Sequence, residues 1–449
     1  MSSTLSDPPA DKESMSGIFA TAPTFSTQSP AWRQQTQKEA WREFQSLPMP
    51  SSKNEAWRFA SLRKMELEGY APAPTATDTI EAKCLATSQE SFNEGSHNFV
   101  FVNGRLVHPP QLPETFEHAG IVCCPLNTAA ERHPELLQRY LHSQEATLGG
   151  EKFSALHRAN DNPGIFLYVP EDVIMESPIE ITHWISSPEP EKNALFPHCL
   201  VIAEKLAQAT VLERFLSADD NVSFSCGAVD LHASEGAKIH YTSLQNLNLN
   251  SRFYQLHSNQ AARQANITNC QVNLGGGWSR SEAIAHLNGK SANIDMLCVN
   301  VAEGSQEFDH RSFQHHAEAH CTSDLLYKNC LFDQTKSVFA GLISVDEEAH
   351  FTDAYQTCRN LLMSDEAEAH SMPGLEINAD QVKCSHGSTT SRIEEEELFY
   401  LRARGLTRSA ARKIILLGYC MDVVDRLDNE THIEELRDLI EAKFRGVAA

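Results

Sequence analysis

Basic residues are scarce relative to acids: 37 Lys and Arg face 60 Asp and Glu, a formal charge of −23 at pH 7. A surface of that sign repels phosphate backbones and anionic headgroups, which argues against nucleic acid and membrane as partners. Long apolar runs are missing as well. Ile414-Ile415-Leu416-Leu417 and Gly164 to Val169 fall far short of the ~20 residues a spanning helix needs. No Cys-x-x-Cys occurs, and the 12 cysteines are dispersed without regular spacing, the usage of reduced intracellular thiols rather than a disulfide framework. The first 32 residues set Lys12 as the only base against Asp7, Asp11 and Glu13 and hold no apolar core. They match neither a secretory signal nor an Arg-rich transit peptide, and the expected location is the cytoplasm.

Signatures of catalysis are equally sparse. There is no G-x-S-x-G elbow, dinucleotide fingerprint or kinase set. Asn288-Gly289-Lys290-Ser291 ends like a phosphate-binding loop, but Ile284 stands where its first glycine belongs, and a side chain there keeps the backbone away from phosphate. The chain is therefore not expected to be an ATPase itself, and no resident cofactor is expected.

What is present divides the 449 residues into parts, and ~150 residues per domain gives roughly three. Residues 1–29 are rich in Ser, Thr, Pro and Ala and predict a mobile tail. Residues 30–163 read as a mostly helical domain. Trp32, Ala40, Trp41, Phe44 and Leu47 share a helix face stopped by Pro48 and Pro50, and Asn103-Gly104 marks a tight hairpin between Phe99–Val102 and Arg105–Val107. Helices are expected again over 134–141 and 153–159.

Residues 164–393 change texture to short β-rich runs bounded by small or charged turns. They include Ile165–Val169, Ile179–Ile181, Leu200–Ile202, Thr210–Leu212, Lys238–Tyr241, Asn293–Leu297 and Ala379–Val382. This pattern suits a sandwich or a stacked solenoid. The length favours the solenoid, because stacked coils bury a continuous core at any length, with the flanking helical regions as candidate end caps. Residues 394–449 are helical: carboxylates at 394–397 open a first helix with Gly405 at its left-handed end, Thr407 caps a second, and Asn429 precedes a third carrying Ile433, Leu436, Ile440 and Phe444.

Candidate ligands are few. Asp309-His310, His315-His316 and His320-Cys321 are dense in imidazole, but their spacing in a strand does not gather one face. Adjacent Cys123 and Cys124 would point to opposite faces. Cys384 and His386 differ: at i and i+2 of a strand they share a face, where the imidazole could depress the thiol pKa and the two could present ligands to iron. A packed structural pair is the other reading, and the spacing alone does not exclude it.

The surroundings of that pair resemble the SufB/SufD family of iron–sulfur cluster assembly scaffolds. The resemblance runs through Asp309-His310, His320-Cys321-Thr322-Ser323, Leu326-Tyr327-Lys328, Phe339-Ala340-Gly341, Thr352 to Gln356, Asn360 to Asp365, Pro373 to Ile377, Asp380 to Gly387 and Phe399 to Gly405. Glu55-Ala56-Trp57-Arg58-Phe59 is similar to its N-terminal Trp-Arg motif. The resemblance implies a mainly β fold, a right-handed parallel β-helix between N-terminal and C-terminal helical domains, and a non-catalytic scaffold role. It implies pairing of a SufD subunit with SufB through the β-helix, or a homodimer as an intermediate assembly. It further implies binding of the ATPase SufC through the C-terminal helices, with Phe399, Tyr400, Leu401, Arg404 and Gly405 as candidate contacts, although these aromatics could instead cap the core. A transient iron or nascent cluster would be handled at the inter-subunit site by His386, with Cys384 beside it.

Within the family, Cys384-Ser385-His386 matches the SufD form. The SufB cysteine before Ala369-His370-Ser371-Met372-Pro373 is replaced by Ala367, while Ser388 and Thr390-Ser391-Arg392 depart from the SufD pattern. A polysaccharide-cleaving enzyme on a β-helix is the alternative class, supported by fold analogy alone.

Overall fold

The computed structural model describes residues 16–447 apart from 28, 144, 145, 161, 162 and 189. Most of the expected tail, residues 1–15, lies outside the described residues. Its remainder is not loose: Gly17–Phe19 forms a 3₁₀ turn that buries Ile18 and Phe19 against Phe44 and Phe224.

From Gly164 the backbone winds as a parallel β-solenoid of about eight turns. Each turn gives one strand to each of two sheets, so each sheet takes alternate strands of the chain. One runs from Gly164–Val169 through His198–Ala203 to Glu368–Ile377; the other runs from Ile179–Ile185 to Lys383–Ser391. Asn266 pairs with Asn293, Asn293 with Thr322, Thr322 with Asp353 and Asp353 with Lys383, an advance of about thirty residues per turn, within the range of solenoid repeats.

The repeat is carried by backbone conformation more than by residue identity. At one corner Leu206, Gln264, Ser291, His320, Phe351 and Gln381 all adopt left-handed φ, between 56° and 63°. The N–H of His320 there donates to the carbonyl of His350 on the next turn at 2.9 Å. Gly236 occupies the same corner one turn after Leu206, and is the one glycine among them. The Gln381 conformation also corrects the expected strand at Ala379–Val382: those residues are the corner, and the strand starts at Lys383. Asn288 to Ser291 belongs to this corner, between strands Trp278–Leu287 and Asn293–Ala302.

Side chains stack in register inside the coils. The column Ile239, Ile267, Ile294 is aliphatic; another, Asn273, Asn300, Asn329, Asn360, is amide throughout. Each amide Nδ2 donates to the Oδ1 of the next turn at 2.9, 2.5 and 2.8 Å, because in-register stacking repeats one donor and acceptor at the strand spacing. Asn360 continues toward Thr390 Oγ1 at 3.4 Å, in the last coil.

The N-terminal region closes the first coil with strands as well as helices. The hairpin His97–Val102/Arg105–His108, with φ of 47° and 80° at Asn103 and Gly104, pairs in parallel with Ile179–Ile185. Val122–Pro125 pairs antiparallel with Gly164–Val169 and sends Cys123 into the solenoid core and Cys124 to the other face. Helices Ala31–Ser46 and Glu151–Ala159 lie over the outer face of the first sheet.

The C-terminal helices Glu395–Arg402, Arg408–Val424 and Glu430–Val447 do not form the second end cap. The last two run back along the outer flank of the other sheet, where Leu416, Cys420, Leu436, Ile440 and Phe444 cover Val272, Val299, Cys330 and Phe332. Ion pairs fix this path: Lys328 to Asp422 at 2.6 Å, and Arg214 to Glu435 at 2.6 Å and Glu180 at 2.8 Å. Thr407 caps the middle helix by accepting from the Ala410 N–H at 3.2 Å. Among the described residues no helix is long and apolar enough to cross a membrane.

Candidate functional site

Because the C-terminal helices turn away along the flank, no strand or helix among the described residues covers the final coil. Glu368–Ile377 and Lys383–Ser391 terminate the two sheets, each hydrogen-bonded on one side only. Their outer edges carry unpaired backbone groups, the arrangement that recruits another strand. Pro373 lies in one of these strands, where a missing N–H is tolerated because the position is an edge.

Cys384 and His386 stand in that coil. In the register Cys384 follows buried Ala354, Ser385 follows exposed Tyr355, and His386 follows buried Gln356. The pair therefore continues inward-facing columns, as the i, i+2 spacing predicts, yet no further coil among the described residues covers them: Cys384 is half-buried and His386 exposed. Ser388 and Thr390 continue the same inner face. The other strand of the coil contributes Ser371, which follows Phe339, and Leu375, which follows Ile343.

The expected thiol activation is not observed. Burial pushes the Cys384 thiol above its ordinary pKa of 9.0; the Ala354 hydrogen bond works against this, and the Asp353 charge adds to the rise. At neutral pH the thiol is protonated, and a metal would have to displace that proton to gain a thiolate. The exposed imidazole of His386 is the readier donor. Two donors fall short of a closed coordination sphere, so the site is chemically a half-site.

Beside the open coil, the Glu55–Phe59 segment is held by its backbone. Arg280 donates to the Ala56 carbonyl at 3.0 Å and stacks on the Trp57 ring with its guanidinium carbon 3.8 Å from the centroid. Arg311 donates to the Arg58 carbonyl at 2.9 Å, and Phe59 stacks on His370 of the last coil at 4.5 Å. The N-terminal Trp-Arg motif is thus bound through its carbonyls, which side-chain motif reading does not detect.

Leu398 is buried beneath helix Glu395–Arg402, whereas Phe399 is 71% and Tyr400 58% exposed. These aromatics do not cap the core. Arg404 stacks on Tyr400 and donates to its carbonyl at 2.9 Å, Leu401 is half-buried, and Gly405 takes φ 92° after the helix. The result is an exposed aromatic and cationic surface.

The imidazole-rich stretch disperses, as its spacing suggests. Asp309 binds Arg280 and Arg311 on the outer face, His310 turns inward to Asn300, His315 faces Asp346, and His316 bonds Ser323.

Comparison with known proteins agrees with this architecture. Residues 184–419 match the family described as SUF system FeS cluster assembly, SufBD core domain, and residues 18–181 match the SufBD protein N-terminal region. The iron–sulfur cluster assembly protein SufD of Escherichia coli K12 is 28% identical over 386 residues, covering 85% of this chain and 86% of its own. SufD of Bacillus subtilis 168 is 26% identical over 423 residues, covering 93% and 95%. A SufBD-family iron–sulfur cluster assembly protein of Synechocystis is 26% identical over 395 residues, covering 85% and 84%. With a continuous solenoid, an uncovered last coil and these matches over nearly its whole length, the chain belongs to the SufBD family of iron–sulfur cluster assembly proteins.

Proposed function

We propose that the chain acts as a SufD-type scaffold: its open coil meets the corresponding end of a SufB partner, and His386, with Cys384 beside it, helps receive iron or hold the nascent cluster as cargo. The supporting observation is that the two inward-facing donors sit at an uncovered edge, where a second chain can complete both the sheet and the ligand set. His386 offers the first contact. Cys384 becomes a ligand only when bound iron displaces its proton, so it acts after capture rather than as a free nucleophile.

The exposed surface of Phe399, Tyr400 and Arg404 is assigned to the SufC ATPase, with Leu401 and Gly405 shaping the helix end, since aromatic and Arg side chains supply most binding energy at such interfaces. The reading makes the chain a non-catalytic cytoplasmic subunit; nucleotide hydrolysis belongs to that partner.

The test is co-expression with SufB and SufC. His386→Ala should leave the complex intact on size exclusion while lowering reconstituted cluster absorbance at least several-fold. Unchanged cluster yield would sink the assignment. A chain that purifies alone and degrades polysaccharide would favour the enzyme alternative.

A further inference from the structure

The coil beneath the open edge carries an amide that its surroundings leave half used. Gln356 precedes His386 in the register, on the inward face of strand Asp353–Leu362, and is 1% exposed. Its Nε2 donates to Gln314 Oε1 at 3.3 Å, and Gln314 Nε2 donates in turn to Ser323 Oγ at 2.8 Å and to the Tyr355 carbonyl at 3.2 Å. Gln356 Oε1 has no hydrogen-bond partner among the described residues. A buried amide oxygen without a donor has lost its hydration and gained nothing in exchange.

The interior of the coil is shaped to hold this amide. Gly341 makes its room: a Cβ there would lie 2.2 Å from Gln356 Nε2 and 2.5 Å from Ser312 Oγ. Gln314 lies on strand Glu307–His316, one coil further from the open end, and takes the amide nitrogen. The oxygen is thereby left on the side of the amide away from Gln314.

The next residue of the column is His386. Neighbouring strands stand about 4.8 Å apart, and in-register side chains share a face, so an imidazole there is within reach of the amide beneath it. A neutral imidazole has one N–H and one bare nitrogen, and the bond made by the N–H sets which is which. An N–H given to Gln356 Oε1 satisfies the unused acceptor and turns the bare nitrogen away from the amide, toward the open edge.

We propose that Gln356 is a positioning residue for His386: its Oε1 accepts one ring N–H of the imidazole, fixes the tautomer and aims the other nitrogen at iron arriving as cargo. Gln314 and Gly341 hold the amide in place for this. Metal-binding imidazoles are oriented by such an outer acceptor, whose loss weakens metal binding by about 10–100-fold. The inference rests on the reading of His386 as an iron donor and adds to it the group that orients the donor.

The test measures Fe²⁺ affinity of the purified complex with SufB and SufC, by competition with a chromophoric chelator. Gln356→Leu removes the acceptor and should weaken Fe²⁺ binding by about 10–100-fold while the complex elutes unchanged. Gln356→Glu keeps an acceptor and should bind Fe²⁺ more tightly than Gln356→Leu. A purely structural role gives the opposite order, since a buried carboxylate is costlier there than a buried aliphatic group. In a His386→Ala background, Gln356→Leu should change nothing further, because a residue that acts through another has no effect once that other is gone. Weaker binding in Gln356→Glu than in Gln356→Leu would overturn the proposal, as would an equal loss from Gln356→Leu with and without His386. In the latter case a loss from His386→Ala alone still upholds the donor reading, whereas unchanged affinity in His386→Ala overturns both. If Gln356→Leu does not assemble, Gly341→Ala replaces it: its methyl must displace the amide nitrogen and should lower Fe²⁺ affinity, and parent-like affinity in the assembled complex overturns the proposal.

Discussion

The two ends of the solenoid solve the same problem differently. At the N-terminal end, unpaired strands are covered by a hairpin, an antiparallel strand and helices. At the C-terminal end nothing comparable among the described residues covers the last coil, and the longer two of the three following helices lie along the flank instead. A parallel sheet gains nothing from an uncovered edge in isolation, and it is on this open end that the proposed partner contact rests.

The largest effect is expected between the two ends, where the N-terminal segment runs over the outer face of the first sheet toward the open coil. Arg280 is fully buried and pairs with Asp309 at 2.5 Å and Glu282 at 2.7 Å while holding the carbonyls of Ala56 and Leu148. Arg280→Ala leaves buried carboxylates short of their partner and should cost about 3–5 kcal/mol, measured by urea unfolding. A loss under about 1 kcal/mol would mean that this contact does not hold the N-terminal segment.

Acid should weaken the covered interior next. Burial depresses the imidazoles of His257 to about 3 and of His310 and His316 to about 4, from 6.5. Between pH 6.5 and 4 the unfolded chain takes up protons that the folded chain refuses, so stability is full above 6.5 and falls as pH drops through that window. At about 1.4 kcal/mol per pKa unit the summed loss should reach several kcal/mol. A Tm that stays flat from pH 7 to 5 would contradict the burial of these rings.

Glycine substitutions compare the ends directly. Gly164, with φ 148° and a Cβ that would lie 2.0 Å from the His198 carbonyl oxygen, should lose more than about 2 kcal/mol as Gly164→Ala. Gly387→Ala at the open coil meets nothing within 4 Å and should stay within about 0.5 kcal/mol. Equal costs would erase the distinction. Phe399→Ala should have the smallest effect on the isolated chain, again within about 0.5 kcal/mol, while weakening SufC pull-down at least tenfold; the reverse outcome would return this aromatic to a packing role.

Much of the fold was legible because its signals are local. Asn103-Gly104 specified a hairpin through its positive φ angles, Thr407 a helix start, and Pro48 a helix stop. The shared face of Cys384 and His386 followed from the two-residue period of a strand. The corner at 379–382 was misread as a strand, since Val382 and Ala379 look extended while Gln381 takes a left-handed φ that its residue type does not announce. The asparagine column lay at intervals of about thirty residues and could have been found by searching for that period. The grip on the Ala56 and Arg58 carbonyls left no comparable mark, because its partners are brought together only by the docking of one region on another.

By itself the sequence determined the local periods: which stretches are helix or strand, which residues share a face, and the acidic character that disfavours phosphate partners. Tertiary structure alone decided that the final helices lie along the flank and not over the end. It also decided the protonation of Cys384, which two neighbours in sequence suggested would be an activated thiol and which burial makes an ordinary, reluctant one. The physical reason is range: φ preference and side-chain alternation act within a few residues, whereas desolvation and coverage depend on which distant surface arrives.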